Sequence, residues 1–345
     1  MEMELNSRER VLRLFRREKI DRVPVFSGMG NVTIHGLEKY GWKFPEIHSD
    51  ASKMASMAAS TFQIFGFECA VVPFDLGVEA EALGAGVNFY PTHTDIIYPT
   101  ISQKVAEKVS DLNIQVPSDL ANAGRIPLVV QAIRYLKEEV GDQVAIGAWV
   151  LGPYTLAGQL VDIADLSKAA FKKTDVVHGI LDTLAGVLIK ICKIYREAGA
   201  DYITVREMGA GADILSPRMF QALIRPHLEQ IVNAIESPKV LHICGDTDII
   251  IDQMDLCGAD GISVEQKNHV AESRQKVSAN TLILGNLDAY QVMVLGKPND
   301  IDKAVKEAIA NGVDAIWPGC DIWPTVPRTN MEALMAAVRK YGKFG

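Results

Sequence analysis

Short apolar runs alternate with longer stretches of helical periodicity along the chain. The runs are RVPVFS (22–27), CAVVPF (69–74), VAIGAWV (144–150), DYITVRE (201–207), KVLHIC (239–244), DGISVE (260–265), LILGN (282–286) and DAIWPG (314–319). Each is rich in β-branched or other apolar residues and lacks the in–out alternation of a strand with one wet face. Each therefore predicts a strand covered on both sides. Between them, 51–66, 126–140, 163–197, 216–236, 247–257, 299–311 and 328–342 carry apolar residues at helical spacing. Ser216-Pro217 is a start signal, a capping hydroxyl followed by proline at the first helical position. Eight strands separated by helices predict an α/β fold, a (β/α)8 TIM barrel; a doubly wound open sheet is the competing arrangement. Residues 6–17 predict an extra N-terminal helix closing the barrel bottom, and 76–125 a long insertion after the second predicted strand. No linker, repeat or low-complexity tract divides the sequence, so 1–345 is read as a single domain.

Composition narrows the class without naming a function. Hydrophobic residues at 48% and charged residues at 23% exclude a disordered, collagen-like or disulfide-scaffold chain. A net charge of −8 argues against nucleic acid as a partner. The charged start MEMELNSRERVLRLF holds no apolar signal core, and no apolar run is long enough to span a membrane, so a cytoplasmic protein is expected. The 5 cysteines are odd in number and scattered, which fits a reducing compartment.

In a TIM barrel the chemistry sits at the C-terminal ends of the strands. His242 and Cys244 stand two residues apart at the end of the 239–244 run, so an imidazole and a thiol project from one face. Cys320 follows the last run, on a strand expected across the barrel. One nitrogen and two thiolates suit Zn²⁺, and three protein ligands leave a fourth position open, as in catalytic zinc. On residue types alone, small buried cysteines explain the pattern as well as a metal does. Cys69, Cys192 and Cys257, at a strand start or within predicted helices, are read as core filler.

The stretch VLHICGDTDIIIDQMDLCGADGISVEQK, followed by WPGCDIWPTVP, resembles the methylcobamide:coenzyme M methyltransferases of the uroporphyrinogen decarboxylase superfamily. RERVLRLFRREKIDRVPVF, VVPFDLGVEAEALGAGV, GAWVLGPYTLAGQL, EAGADYITVREMGAGADILSPRMF and LGNLDAY extend the likeness over essentially the whole chain. The resemblance implies that His242, Cys244 and Cys320 bind catalytic zinc. It also implies methyl transfer from a methylated corrinoid protein (methylcobalamin as the donor group) to a zinc-activated thiol, coenzyme M above all. Tetrahydrofolate is an alternative acceptor. The decarboxylase branch is the rival reading, but its substrate-gripping loop carries arginine, whereas SGMGNVTIHGLEKY here has none. From the same resemblance, Glu265 is expected close to the zinc, filling the open position or accepting the thiol proton. Glu207, with Arg206, is expected to shape the acceptor pocket. Asp75 and Glu81 are candidates to orient the metal histidine, with helix capping as the other account. Asn31 and Asn286 are candidates to hydrogen-bond acceptor or cofactor. Trp317 and Trp323 offer an apolar floor for the corrinoid, or simple packing. His35, His48, His93, His178, His227 and His269 are read as surface or capping residues.

Overall fold

The computed structural model describes residues 4–344; the outermost ends of the 1–345 span lie outside the described residues. Seven parallel strands form one sheet in chain order. They are β1 (Cys69–Val72), β2 (Ala145–Leu151), β3 (Tyr202–Arg206), β4 (Lys239–His242), β5 (Gly261–Ser263), β6 (Leu282–Asn286) and β7 (Ala315–Trp317). Nearly every residue in them is buried, as two-sided cover requires. Because all seven run parallel, the loops that follow them gather at one end of the ring.

The segment 22–27, predicted as a full strand, closes the ring by a single bridge. Val25 pairs in parallel with Ile316 of β7, with Phe26 N donating to Ile316 O and Ile316 N to Pro24 O. Pro24 has no N–H and cannot extend a ladder. On the other side a carboxylate stands in for a strand: Val25 N donates to Glu68 Oε2 at 2.9 Å, and Glu68 N donates to Val25 O. The fold is the expected barrel, with a seam where its first strand should lie.

The ring is filled rather than hollow. Phe26 packs edge-on against Tyr202 and Trp317, with ring centroids 5.8 and 5.2 Å apart. The predicted extra helix is Ser7–Phe15, capped by the Asn6 side chain. The stretch 163–197 is two helices, Ile163–Lys172 and Thr174–Ala198, broken at Lys173. The 216–236 stretch contains one wide turn over Phe220–Ile224, just ahead of Pro226, whose missing N–H cannot complete the regular pattern. A helix over Pro153–Leu160 is not foreshadowed by periodicity. The 76–125 insertion holds a short helix and an antiparallel pair, Gly86–Asn88 with Thr100–Gln103. No helix among the described residues is long and apolar enough to cross a membrane.

Candidate metal centre

Register sets the first layer of the site. Arg206 of β3 lies beside His242 of β4, which lies beside Ser263 of β5. His242 is fully buried, and its Nδ1 is 3.0 Å from Ser263 Oγ. With that nitrogen occupied, Nε2 faces the ring mouth, 3.2 Å from Cys244 Sγ. Cys244 follows two residues later on the same face, and Gly245 at φ 82° then turns the chain away. A neighbouring loop fits this turn closely: a Cβ on Gly211 would stand 2.5 Å from the Cys244 carbonyl oxygen. Cys320, in the turn after β7, brings its sulfur to 3.9 Å from that of Cys244. Glu265, two residues beyond Ser263, reaches the same point, with Oε2 accepting from Gly245 N at 2.9 Å.

One donor atom each from His242, Cys244, Glu265 and Cys320 all lie within 4.8 Å of one another. Tetrahedral bonds of ~2.3 Å to sulfur hold two sulfurs ~3.8 Å apart, so the spacing between Cys244 and Cys320 fits a shared small cation. Neither cysteine is in a disulfide. The two sulfurs are within hydrogen-bond reach of each other. A hydrogen bond from the Cys244 thiol, aided by His242 and Arg206, holds Cys320 far below the ordinary thiol range against the effect of burial. The same hydrogen bond, together with burial, pushes Cys244 up. The donor set, one imidazole, two soft sulfurs and a carboxylate, suits zinc.

A sequence profile of the uroporphyrinogen decarboxylase family matches residues 6–341. The chain belongs to that family. It is 32% identical over 339 residues to methylcobamide:CoM methyltransferase MtaA of Methanosarcina barkeri (strain Fusaro), covering 98% of this chain and 99% of the relative. It is 30% identical over 341 residues to methylcobamide:CoM methyltransferase MtbA of Methanosarcina acetivorans, again covering 98% and 99%. A solved methyltransferase from Methanosarcina mazei superposes with a TM-score of 0.92 at 31% identity, covering 98% of this chain and 99% of the other. Within the family, the chain is an enzyme of this methyltransferase branch.

Several other expected residues of this family member do different work. Glu207 is fully buried and turned toward Pro153–Leu160, whose N-cap, Gly152, has no side chain to offer. It accepts from Tyr154 N and Thr155 N, both at 2.9 Å, and from Thr155 Oγ1. Its carboxylate is thus engaged in capping a helix. Asp75 is held by Arg125 Nη1 and Nη2 at 2.7 and 2.8 Å and by His48 Nδ1 at 2.9 Å. Burial opposes its ionisation, but those hydrogen bonds keep its carboxyl well below the usual carboxylate range. Both its oxygens are engaged, and Glu81 also binds Arg125. The His242 ring is held by Ser263, and neither acid contacts it.

Asn31 is buried with Nδ2 3.5 Å from Cys69 Sγ, so Cys69 is a hydrogen-bond partner as well as core filler. Asn286 Nδ2 donates to Asn268 O at 2.9 Å, which ties down the loop after β5. Trp317 is wholly buried against Phe26 and offers no floor to a corrinoid, whereas Trp323 is exposed beside Tyr290. His48 and His227 are interior residues; His227 pairs with His178 at 3.0 Å. Ser263 was not singled out by the sequence, although its spacing from Glu265 (two residues, one face) carried the signal.

Proposed function

We propose that this enzyme moves a methyl group from a methylated corrinoid, carried by a partner protein, to the sulfur of a thiol acceptor, coenzyme M, at a zinc ion held by His242, Cys244 and Cys320. The observation that carries the reading is the convergence of an imidazole, two thiols and the Glu265 carboxylate on one point at the barrel mouth. The likeness to methylcobamide:CoM methyltransferases supports the donor and the acceptor.

Bound zinc would supply a divalent charge that keeps the acceptor sulfur deprotonated at neutral pH. The chain's own residues do the rest. Ser263 fixes the imidazole so that the Nε2 lone pair faces the sulfurs. Glu265, steadied by the Gly245 N–H, brings its carboxylate to the same point and would take the acceptor's thiol proton. The acceptor sulfur then attacks the methyl carbon; the carbon–cobalt bond breaks, and cobalt keeps the electron pair. With both cysteines in use as thiols, we place the reaction in the reducing cytosol, and we treat the chain as one catalytic barrel.

The test is methyl transfer from methylcobalamin to coenzyme M, homocysteine or tetrahydrofolate, with metal content measured alongside. About one zinc per chain is expected, and Cys244→Ala or Cys320→Ala should lose both the metal and the transfer. Full transfer by metal-free protein would overturn the reading, and transfer to tetrahydrofolate alone would replace the acceptor.

A further inference from the structure

Two thiols placed to share a cation are also placed to bond to each other. The sulfurs of Cys244 and Cys320 stand 3.9 Å apart, and a disulfide closes at about 2.05 Å, so each sulfur has about 1 Å to travel. Small side-chain rotations cover that distance. The strands that carry the pair, β4 and β7, are not neighbours in the sheet, so no ladder fixes the spacing of the two sulfurs. Each sulfur is set by its own turn, Cys244 by the one at Gly245 and Cys320 by the one at Gly319, at φ 82° and 29°.

Accessibility separates this pair from the other cysteines. Cys69, Cys192 and Cys257 are wholly buried, and burial pushes each of their thiols up, away from the reactive thiolate. Among the described residues, none of the three lies within hydrogen-bond reach of another cysteine sulfur. Cys244 and Cys320 are half-buried at the mouth of the ring. A small oxidant entering there meets two sulfurs side by side. Whichever is oxidised first has a resolving thiol at hand, which diverts it from the irreversible acids.

We propose that Cys244 and Cys320 form a reversible disulfide under peroxide, and that this bond switches the metal centre off. One sulfur attacks a peroxide oxygen; the O–O bond breaks, the sulfur keeps a hydroxyl as a sulfenic acid, and water leaves. The other sulfur displaces that hydroxyl as a second water and closes the S–S bond. Two thiols and one hydrogen peroxide thus give one disulfide and two waters, with two electrons passing from sulfur to oxygen. Where the sulfurs start as zinc thiolates, two protons from solvent complete the waters and the ion is released. A small dithiol reverses the step by exchange and leaves as its own disulfide. Bond and ion exclude each other, because a disulfide sulfur is no longer a thiolate ligand. The switching rests on the zinc reading above; the bond itself does not.

The experiment treats the full chain, prepared without oxygen and either zinc-loaded or stripped of metal, with a small excess of hydrogen peroxide. Free thiols are counted after denaturation, released zinc is read with a chromophoric chelator, and proteolytic peptides are weighed. Thiols should fall from five to three, and the peptides carrying Cys244 and Cys320 should appear joined and lighter by two hydrogens. Zinc should leave in step with the bond, and the stripped protein should oxidise faster than the loaded one. Dithiothreitol should restore all five thiols and the capacity for zinc. Cys257→Ser, remote from the pair, should start at four thiols and end at two. Sulfinic acid at either residue with no joined peptide overturns the inference. So does a bond that recruits Cys69, Cys192 or Cys257, or zinc that stays bound once the bond has formed. A chain that takes up no zinc yet joins the two peptides sinks the zinc reading, and the switch with it, while leaving the bond.

Discussion

A single hydroxyl orients His242, the imidazole of the candidate metal centre. Ser263 Oγ and His242 Nδ1 are both buried, so removing the oxygen leaves a ring nitrogen with no partner and an imidazole free to turn. Groups that orient a ligand in this way typically contribute 10- to 100-fold to metal affinity. Ser263→Ala is therefore expected to raise the zinc dissociation constant by about that factor, read by competition with a chromophoric chelator, with Ser263→Thr nearer to wild type. Glu79 makes a different prediction. It is fully buried, Oε1 accepts from Leu151 N at 3.1 Å, and Oε2 has no partner among the described residues. Burial pushes its carboxyl from 4.5 up to about 7. The folded state thus holds this proton more tightly than the unfolded chain does. The stability it contributes is complete below pH 4.5 and is lost as pH rises through about 7. Urea unfolding should show the wild type weakening between pH 5 and 8 relative to Glu79→Gln; parallel pH profiles would refute this. At this scale the sequence displayed reactive residue types well: His242, Cys244 and Cys320 could be read from strand-end positions, and Glu265 from the family resemblance. It could not separate a carboxylate that faces the mouth from one that faces a helix, because Glu207 and Glu265 both end strands and only tertiary packing distinguishes them.

Elements were legible where periodicity was long and caps were explicit. Asp50 and Gly66 frame the Ala51–Phe65 helix, its carboxylate accepting from Ser52 N and Lys53 N and its glycine at φ 79°. The Pro153–Leu160 helix escaped notice since it is short, buried on most sides and starts without a capping side chain of its own. Its cap comes from Glu207, more than fifty residues away. Glu207→Ala strips three donors of their acceptor and should cost about 2–3 kcal/mol. Zinc content and the KM for coenzyme M should stay near wild type, measured on the same preparation. A large KM effect with stability intact would return Glu207 to the acceptor pocket. Prolines explain two further departures. Pro24 reduces a predicted strand to one bridge, and Pro226 forces the wide turn within a predicted helix.

On the scale of the whole molecule, strand order followed from the parallel pattern, since consecutive βα units come to lie side by side. The manner of closure did not, because it depends on a side chain taking a strand's place. The four donors arise from the end of β4, the loop after β5 and the turn after β7. A cation there would staple separate arcs of the ring, and any ligand that binds only the folded state stabilises it by mass action. At free zinc 1,000 times its dissociation constant that is about 4 kcal/mol. Chelation should therefore lower the thermal midpoint followed by circular dichroism by several degrees, and Cys320→Ala should be insensitive to it; an unchanged midpoint on stripping the metal would count against the staple. The seam has a consequence of its own. Glu68 receives Arg22 through both oxygens, Arg10 from the N-terminal helix and the Val25 amide, so one carboxylate latches the floor of the barrel. The segment it latches is bridged to β7, and Cys320 hangs three residues beyond β7. Glu68→Gln is expected to loosen the first segment at the floor while leaving the seven-stranded ladder intact, read as faster amide exchange at Val25 than within β2.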